Sequence, residues 1–407
     1  MACYPGFLNC FCAQERSRET LKKKIYLFFL LTALGSVLTG CSRQDETEER
    51  LTEHQNLNEI AEESTDQEAE DAMNISSDRE EFERLRTRIE PVEEITELED
   101  GLSVVRYEGD YGFDHFLEQG GASSDAEVVE YVSSEILSNI TSLIFGGRPF
   151  GCSTLQVENE EGGWLFGRNF DWNTCHGLIV SSRPEEGYAS VSTVNMDFIS
   201  AGGVDISALP DSVQAAVGLY APLDGMNEEG LAVSVNMIQD SATIEQDTGK
   251  PDLTTTTAVR LLLDRAANVE EALELLGQYD LHASMGMMVH FALADASGRS
   301  VVVEYIDNEM TVTDTKAVTN FYLAEGEKYG IGTEQSHERY EILNQAIAEQ
   351  ERMTELEVRD ALDSVSKDNF GDEFASTEWS IVMNQETKEL TYFHRENYEN
   401  GYTIAVE

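Results

Sequence analysis

The chain has 407 residues, with 78 Asp and Glu against 27 Lys and Arg, a formal net charge of −51 and 41% hydrophobic residues. So negative a chain has no generic use for a phosphate backbone, since nucleic-acid binding rests on Lys and Arg neutralising phosphates, and an anionic membrane surface repels it unless a covalent or apolar anchor intervenes. The apolar fraction excludes a wholly disordered acidic protein, the length allows one large or two ordinary domains, and six cysteines make no disulfide scaffold.

Lys22, Lys23 and Lys24 precede an apolar run from Ile25 to Val37, which closes on Leu38-Thr39-Gly40-Cys41. A positive flank, a short apolar stretch and small residues before a cleavage point make a secretory signal; the run is shorter than the roughly 20 residues a spanning helix needs. Cysteine after Leu-Thr-Gly resembles the lipobox of bacterial lipoproteins, in which that thiol is diacylated and becomes the mature N-terminus. The expectation is a signal peptide over 1–40, a lipid anchor on Cys41 and export to the outer face of a bacterial cell membrane. An ordinary signal peptide or uncleaved anchor with an incidental cysteine is the alternative. Residues 41–100 read as the acylated cysteine and a disordered acidic tether, with 22 acidic against six basic residues after Cys41, about a third of the net charge. A charged helix around Asp78–Glu90 fits the alternation of Glu and Arg there.

Order is expected from Gly101. Leu102–Tyr107 reads as a strand, and a helix is expected over Asp125–Ile144, with Ser123 or Ser124 as N-cap and Val128, Val129, Val132, Ile136, Leu137 and Ile140 as its apolar stripe. This 101–151 segment is a propeptide or a small chain that stays packed. Beyond it, Ser153–Glu158, Gly163–Asn169, Gly177–Ser182, Ala189–Met196 and Leu231–Met237 read as strands, and Thr255–Tyr279 as a helix in two pieces. A meander over Val289–Ala294, Ser300–Tyr305 and Glu309–Thr313, a helix over Arg339–Glu349 and a hairpin of Trp379–Asn384 with Glu389–Phe393 complete the chain. Strands, a helical block and strands again suit an α+β domain with sheets stacked face to face and helices outside.

With Cys3, Cys10 and Cys12 in the signal region and Cys41 as anchor, two thiols remain, Cys152 and Cys175. They could pair as a disulfide in an exported protein. Alternatively Cys152 is a nucleophile: Arg168, in Gly167-Arg-Asn-Phe-Asp171, ends the next strand of the hairpin that Cys152 opens, and a guanidinium beside a thiol favours the thiolate. An exposed strand-end Arg–Asp pair is the plainer use of the same residues.

Cys152-Ser-Thr followed by Gly-Arg-Asn-Phe-Asp resembles the opening of the choloylglycine hydrolase family, the cysteine branch of the N-terminal nucleophile hydrolases, which includes bile salt hydrolases and penicillin V acylases. The likeness continues through Asp224-Gly-Met-Asn-Glu-Glu-Gly-Leu, Ala292-Leu-Ala-Asp-Ala-Ser-Gly-Arg-Ser-Val-Val-Val-Glu304, Val318-Thr-Asn320 and Glu338-Arg339-Tyr. The resemblance implies a four-layer αββα sandwich over 152–407, a cut between Gly151 and Cys152, and hydrolysis of linear amide C–N bonds of N-acyl compounds through an acyl-thioester. Cys152 would then be the nucleophile and its own α-amine the base, an amine that titrates near 8 when unperturbed. By the same resemblance Asp171 orients the amine, Arg168 stabilises the thiolate, Asn236 in Ser234-Val-Asn-Met donates to the oxyanion, and Asn320 and Arg339 support the amine and the transition state. Each has a purely structural alternative.

Phe198, Tyr220, Met226 and Met237 are candidates for lining an acyl pocket, although core packing is the commoner use of each. The pocket loops are expected at Phe198–Asp211 and Ala221–Asp224. A Cys–His arrangement is the rival chemistry, with Cys175-His176 near Asp171 and with His282, His290 and His337 as partners for Cys152, none in a recognisable setting. No metal-ligand spacing and no Gly-rich phosphate loop after a strand is present, so neither metal nor cofactor is expected. The partners expected are a small N-acyl amide and the membrane through Cys41, with no nucleic acid; a homo-oligomer is left open. Bile salts, penicillin V, N-acyl amino acids and N-acyl-homoserine lactones all fit the chemistry. A catalytically silent lipoprotein of this fold and an acyltransferase are the alternative functions.

Overall fold

The computed structural model describes residues 74–136, 143–145, 151–201, 206–367 and 376–407. The signal region, Cys41 and the first part of the tether lie outside the described residues. Two large sheets dominate. One runs, in spatial order, Arg86–Arg88, Gly401–Ala405, Glu389–His394, Ser376–Asn384, Trp164–Trp172, Gly151–Asn159 and Ala317–Val318, with Arg352–Met353 also on Gly151–Asn159. The other runs Glu309–Asp314, Ser300–Ile306, Val289–Ala294, Ala232–Met237, Asp224–Asn227, Ser190–Asn195, Gly177–Arg183, Leu102–Glu108 and Thr96–Glu99.

The central strands are covered on both faces, so they read as nearly unbroken buried runs rather than as alternating ones; Ser190–Asn195 and Ala232–Met237 are buried throughout. Exposed residues are kept by edge strands such as Glu309–Asp314 and Thr96–Glu99. The inner faces meet in one apolar core that takes Phe166, Phe170 and Trp379 from the first sheet and Val191, Met226 and Ala232 from the second. Helix Glu355–Asp363 covers the outer face of the first sheet, where Val358 and Leu362 pack on Leu155 and Leu165. Helices Asp211–Gly218 and Thr255–Arg265 cover the second. The result is the expected αββα sandwich. Helix Glu355–Asp363 starts at a capping box in which Thr354 Oγ1 accepts from Glu357 N and Glu357 Oε2 accepts from Thr354 N.

The structure differs from the sequence expectation mainly before Cys152. The tether was expected to run to Asp100 with a charged helix around Asp78–Glu90; the helix is present over 74–85, but Arg86–Arg88 pairs in parallel with Gly401–Ala405, and Thr96–Glu99 edges the second sheet. Phe82 is buried and packs edge-on against Phe393, an anchor that a charged stretch hides. The helix expected over Asp125–Ile144 is α-helical only over Asp125–Tyr131, with Ser124 Oγ as its N-cap, and passes into a π-turn over Val132–Ile136. Leu143–Phe145 is a strand paired with Ile199–Ala201. Leu102–Glu108 is a strand as expected, but it is interior, lying in parallel with Gly177–Arg183. Among the described residues no helix is long and apolar enough to cross a membrane.

Candidate active site

Side chains alternate across a strand, so Cys152 and Ser153 face opposite ways. The antiparallel register sets Cys152 opposite Phe170, Thr154 opposite Arg168, and Gly151 opposite Asp171. Cys152 and Arg168 therefore point between the sheets, while Gly151, Ser153 and Asp171 look toward the outer helices.

On the inner face, Cys152 Sγ donates to the carbonyl of Val235 at 3.4 Å. Arg168 is fully buried and fully engaged: Nε donates to Asp224 Oδ2 at 3.2 Å, Nη1 to Asn236 Oδ1 at 3.0 Å and to Asn169 O at 2.9 Å, and Nη2 to Val235 O at 3.1 Å. Asp224 Oδ2 also accepts from Trp379 Nε1 at 3.0 Å, so the pair bridges the two sheets. Ser234 Oγ donates to Asn236 Oδ1 as well, at 3.0 Å. With that oxygen held from two sides, the amide of Asn236 is fixed, and its Nδ2 is buried without a hydrogen-bond partner. An unmet buried donor is costly, and such groups collect where a ligand or a reacting atom completes them.

At the backbone, the Cys152 N–H donates to Asn320 Oδ1 at 2.9 Å, and Asn320 Nδ2 donates to Met237 O of the second sheet at 2.7 Å. Arg339 reaches in from helix Glu334–Glu349, donating to Asp171 Oδ2 at 2.5 Å and to Ser153 Oγ at 3.0 Å. Lys367 Nζ lies 3.5 Å from the same carboxylate, and Thr377 Oγ1 donates to Asp171 Oδ1 at 2.8 Å. Burial pushes the Asp171 carboxyl up, but Arg339, Lys367 and the Thr377 hydroxyl more than offset it and hold it below the usual range. Burial likewise pushes the Cys152 thiol up; Arg168 and Arg339 pull it down, Asp171 pushes it up, and the balance leaves it raised in the uncut chain.

All six residues expected at the site thus lie around Cys152, with Arg168 and Asn236 on the inner side, Asp171 and Arg339 on the outer side and Asn320 at its backbone N–H. Cys152 and Cys175 are free thiols, and no disulfide joins them. The rival histidines are engaged elsewhere: His176 with Asp197, His282 with Asp252, His290 with Glu304 and Thr319 O, and His337 with Gly330 O. The pocket candidates separate. Phe198 packs edge-on against Trp172 with ring centres 4.8 Å apart, beside the strand end that carries Gly151. Met226 shares the inner face with Asp224. Met237 alternates to the face opposite Asn236, so only its carbonyl serves the site. Tyr220 sits among Tyr111, Phe113, Phe116 and Tyr131, where it closes the core over the pre-cysteine segment. Lys367 and Thr377 escaped the sequence reading because neither lies in a recognisable motif. Among the described residues, no group of three or more His, Cys, Asp and Glu is arranged to hold a metal ion.

A family model described as linear amide C-N hydrolases, choloylglycine hydrolase family, matches residues 152–359 and so begins at Cys152. The chain belongs to the choloylglycine hydrolase family. Penicillin V acylase of Pectobacterium atrosepticum is 28% identical over 161 residues, 37% of this chain and 42% of that protein, so the match spans less than half of the relative. Among solved structures, penicillin V acylase from Agrobacterium tumefaciens is similar at 21% identity, with a TM-score of 0.43, over 60% of this chain and 83% of that one. A mutant of conjugated bile acid hydrolase from Clostridium perfringens is similar at 18% identity, with a TM-score of 0.44, over 60% and 89%. Lys367 lies beyond the part matched by the choloylglycine hydrolase model.

Proposed function

We propose that the protein hydrolyses linear, non-peptide amide bonds of small N-acyl compounds through Cys152, after the Gly151–Cys152 bond is cut. The observation that carries this reading is Asn236 Nδ2, a buried amide donor with no partner whose oxygen is pinned beside the carbonyl that Cys152 Sγ touches. A donor fixed in place before the reaction is what an oxyanion needs.

In the uncut chain the nitrogen of Cys152 is a peptide amide and cannot take a proton. The cut itself follows from the same groups: Sγ adds to the Gly151 carbonyl, the C–N bond breaks with a proton passing to the departing nitrogen, and water hydrolyses the thioester, leaving a carboxylate on Gly151 and a free amine on Cys152. In turnover that amine takes the thiol proton and the thiolate attacks the substrate carbonyl. The oxyanion is met by Asn236 Nδ2, and the ammonium returns its proton to the leaving amine. Water, deprotonated by the amine, then releases the acid. Asn320 Oδ1 and Asp171 hold the nitrogen, and Arg168 favours the thiolate.

The same reading keeps the chain up to Gly151 in place. Leu102–Glu108 is an interior strand, and Tyr111, Phe113, Phe116 and Tyr131 close the core around Tyr220, so removal would open both. A lipid on Cys41 would then hold the catalytic chain at the outer face of the membrane without a covalent link. Intact-mass analysis of active protein is expected to show a chain starting at Cys152, with a second chain ending at Gly151 that co-migrates under native conditions and separates when denatured. Full activity with an uncut bond sinks the reading, and a lone catalytic chain sinks retention. Penicillin V, glycine- and taurine-conjugated bile salts, N-acyl amino acids and N-acyl-homoserine lactones form the substrate panel.

A further inference from the structure

Residue 151 stands against two charges. A Cβ built on Gly151 would meet Asp171 Oδ2 at 2.7 Å and Lys367 Nζ at 2.7 Å, so the residue before the cysteine has room for no side chain without displacing one of them. A Cβ lies about 3.3 Å from the next residue's nitrogen by standard geometry, which puts Lys367 Nζ within roughly 6 Å of Cys152 N. The lysine is fixed from its backbone: Lys367 N donates to Thr377 Oγ1 at 2.8 Å, and Thr377 N donates to Lys367 O at 3.0 Å. Thr377 stands opposite Asp171 next to a bulge in the register with Trp164–Trp172, and its hydroxyl hydrogen goes to Asp171. One threonine thus ties lysine and aspartate together beside the scissile bond.

We propose that Lys367 is a positioning residue whose charge keeps the α-amine of Cys152 a free base at neutral pH. This rests on the cut and the amine base of the proposed function. The charges facing the nitrogen are Asp171 from its own sheet, Arg339 from helix Glu334–Glu349 and Lys367. On the inner face Arg168 is neutralised by Asp224, and behind Asn320 His290 is paired with Glu304. Asp171 answers Arg339. Lys367 is the surplus cation, and its field makes a second ammonium nearby unfavourable. Without it, Asp171 and Arg339 cancel, the amine returns to its ordinary range of about 7.7–8.0 and is mostly protonated at neutral pH, and a protonated amine cannot accept the thiol proton.

The test is the pH profile of kcat/KM for the cut, full-length protein. With Lys367→Gln the acid limb is expected to move up by about one pH unit, roughly a tenfold loss below the limb, while the alkaline plateau stays; Lys367→Arg should follow the unaltered protein. An unmoved limb, or a plateau that falls with the limb in place, overturns the proposal. Should Lys367→Gln remain uncut, titration of the Cys152 amine in the unaltered cut protein by nitrogen NMR decides: a value clearly below the ordinary range of about 7.7–8.0 supports it, and one within or above that range overturns it. Intact mass is read first. An unaltered protein active with its Gly151–Cys152 bond whole removes the amine base itself, whereas a cut protein with an unmoved limb removes only the role of Lys367.

Discussion

Cys152 and Cys175 are the same side chain in equally dry places, 0% and 1% exposed, and burial pushes both thiols up. The charges beside them separate the two. Arg168 and Arg339 pull the Cys152 thiol down against its burial. Around Cys175, Glu378 and Asp197 push it further up and only Arg395 opposes, while its backbone N–H donates to Glu378 Oε2 at 3.0 Å. One thiol waits beside cations and an unmet amide donor; the other is locked as a thiol by carboxylates. Burial marks neither as a nucleophile. The sign of the neighbouring charge and the presence of an unfilled donor do.

The strongest way to break this contrast is Cys152→Ala, expected to abolish the cut and to lower turnover by about 10⁴-fold or more; residual turnover above that would return the chemistry to Cys175. Next is Asp171→Asn, which leaves Arg339 and Lys367 facing a neutral amide. Breaking a buried pair from one side costs about 3–5 kcal/mol. Because the folded carboxyl titrates below its unfolded value near 3.8, its contribution is complete above that pH and is lost as pH falls through the folded value. Denaturant unfolding should therefore show a constant gap between the unaltered protein and Asp171→Asn from about pH 5 upward, closing below about pH 4; a gap that persists in acid would mean that the carboxylate is not the stabilising form. Asn236→Ala sharpens the other half of the contrast, the unfilled donor. It is expected to lower kcat/KM by about 10²–10³ with the thiol still alkylated by iodoacetamide, and an unchanged kcat/KM would assign the oxyanion to another donor.

The catalytic half of the fold was legible because its strands repeat apolar residues between turn signals, and because Cys152, Arg168, Asp171, Asn236, Asn320 and Arg339 fall within short ordered motifs. The pre-cysteine half was less so. A strand such as Arg86–Arg88, exposed in part and paired through its backbone, leaves no periodic trace, and one buried ring, Phe82, anchors a helix that otherwise reads as solvated charge. Leu102–Tyr107 was read as a strand, yet its parallel partner lies some seventy-five residues on and no local pattern announces the pairing. Lys367 was invisible for a related reason: its position depends on Thr377 and a bulge in the sheet, not on its sequence neighbours. A buried aromatic such as Tyr220 looks the same in sequence whether it lines a cleft or closes a core.

The smallest effect expected is that of Cys175→Ala, and it tests the contrast most closely. The side chain is buried in the main core, so losing its sulfur should cost about 1 kcal/mol of stability through lost packing, with a small downward shift in melting temperature. The cut and kcat/KM should stay near those of the unaltered protein, since Glu378 and Asp197 already keep this thiol from ionising and His176 beside it bonds to Asp197. The stability loss shows that the substitution has reached the core, so preserved activity cannot be put down to a silent position. If turnover instead fell in step with Cys152→Ala, the two thiols would be acting together, and the charge sorting that sets them apart would have to give way to a redox or transfer relation between them.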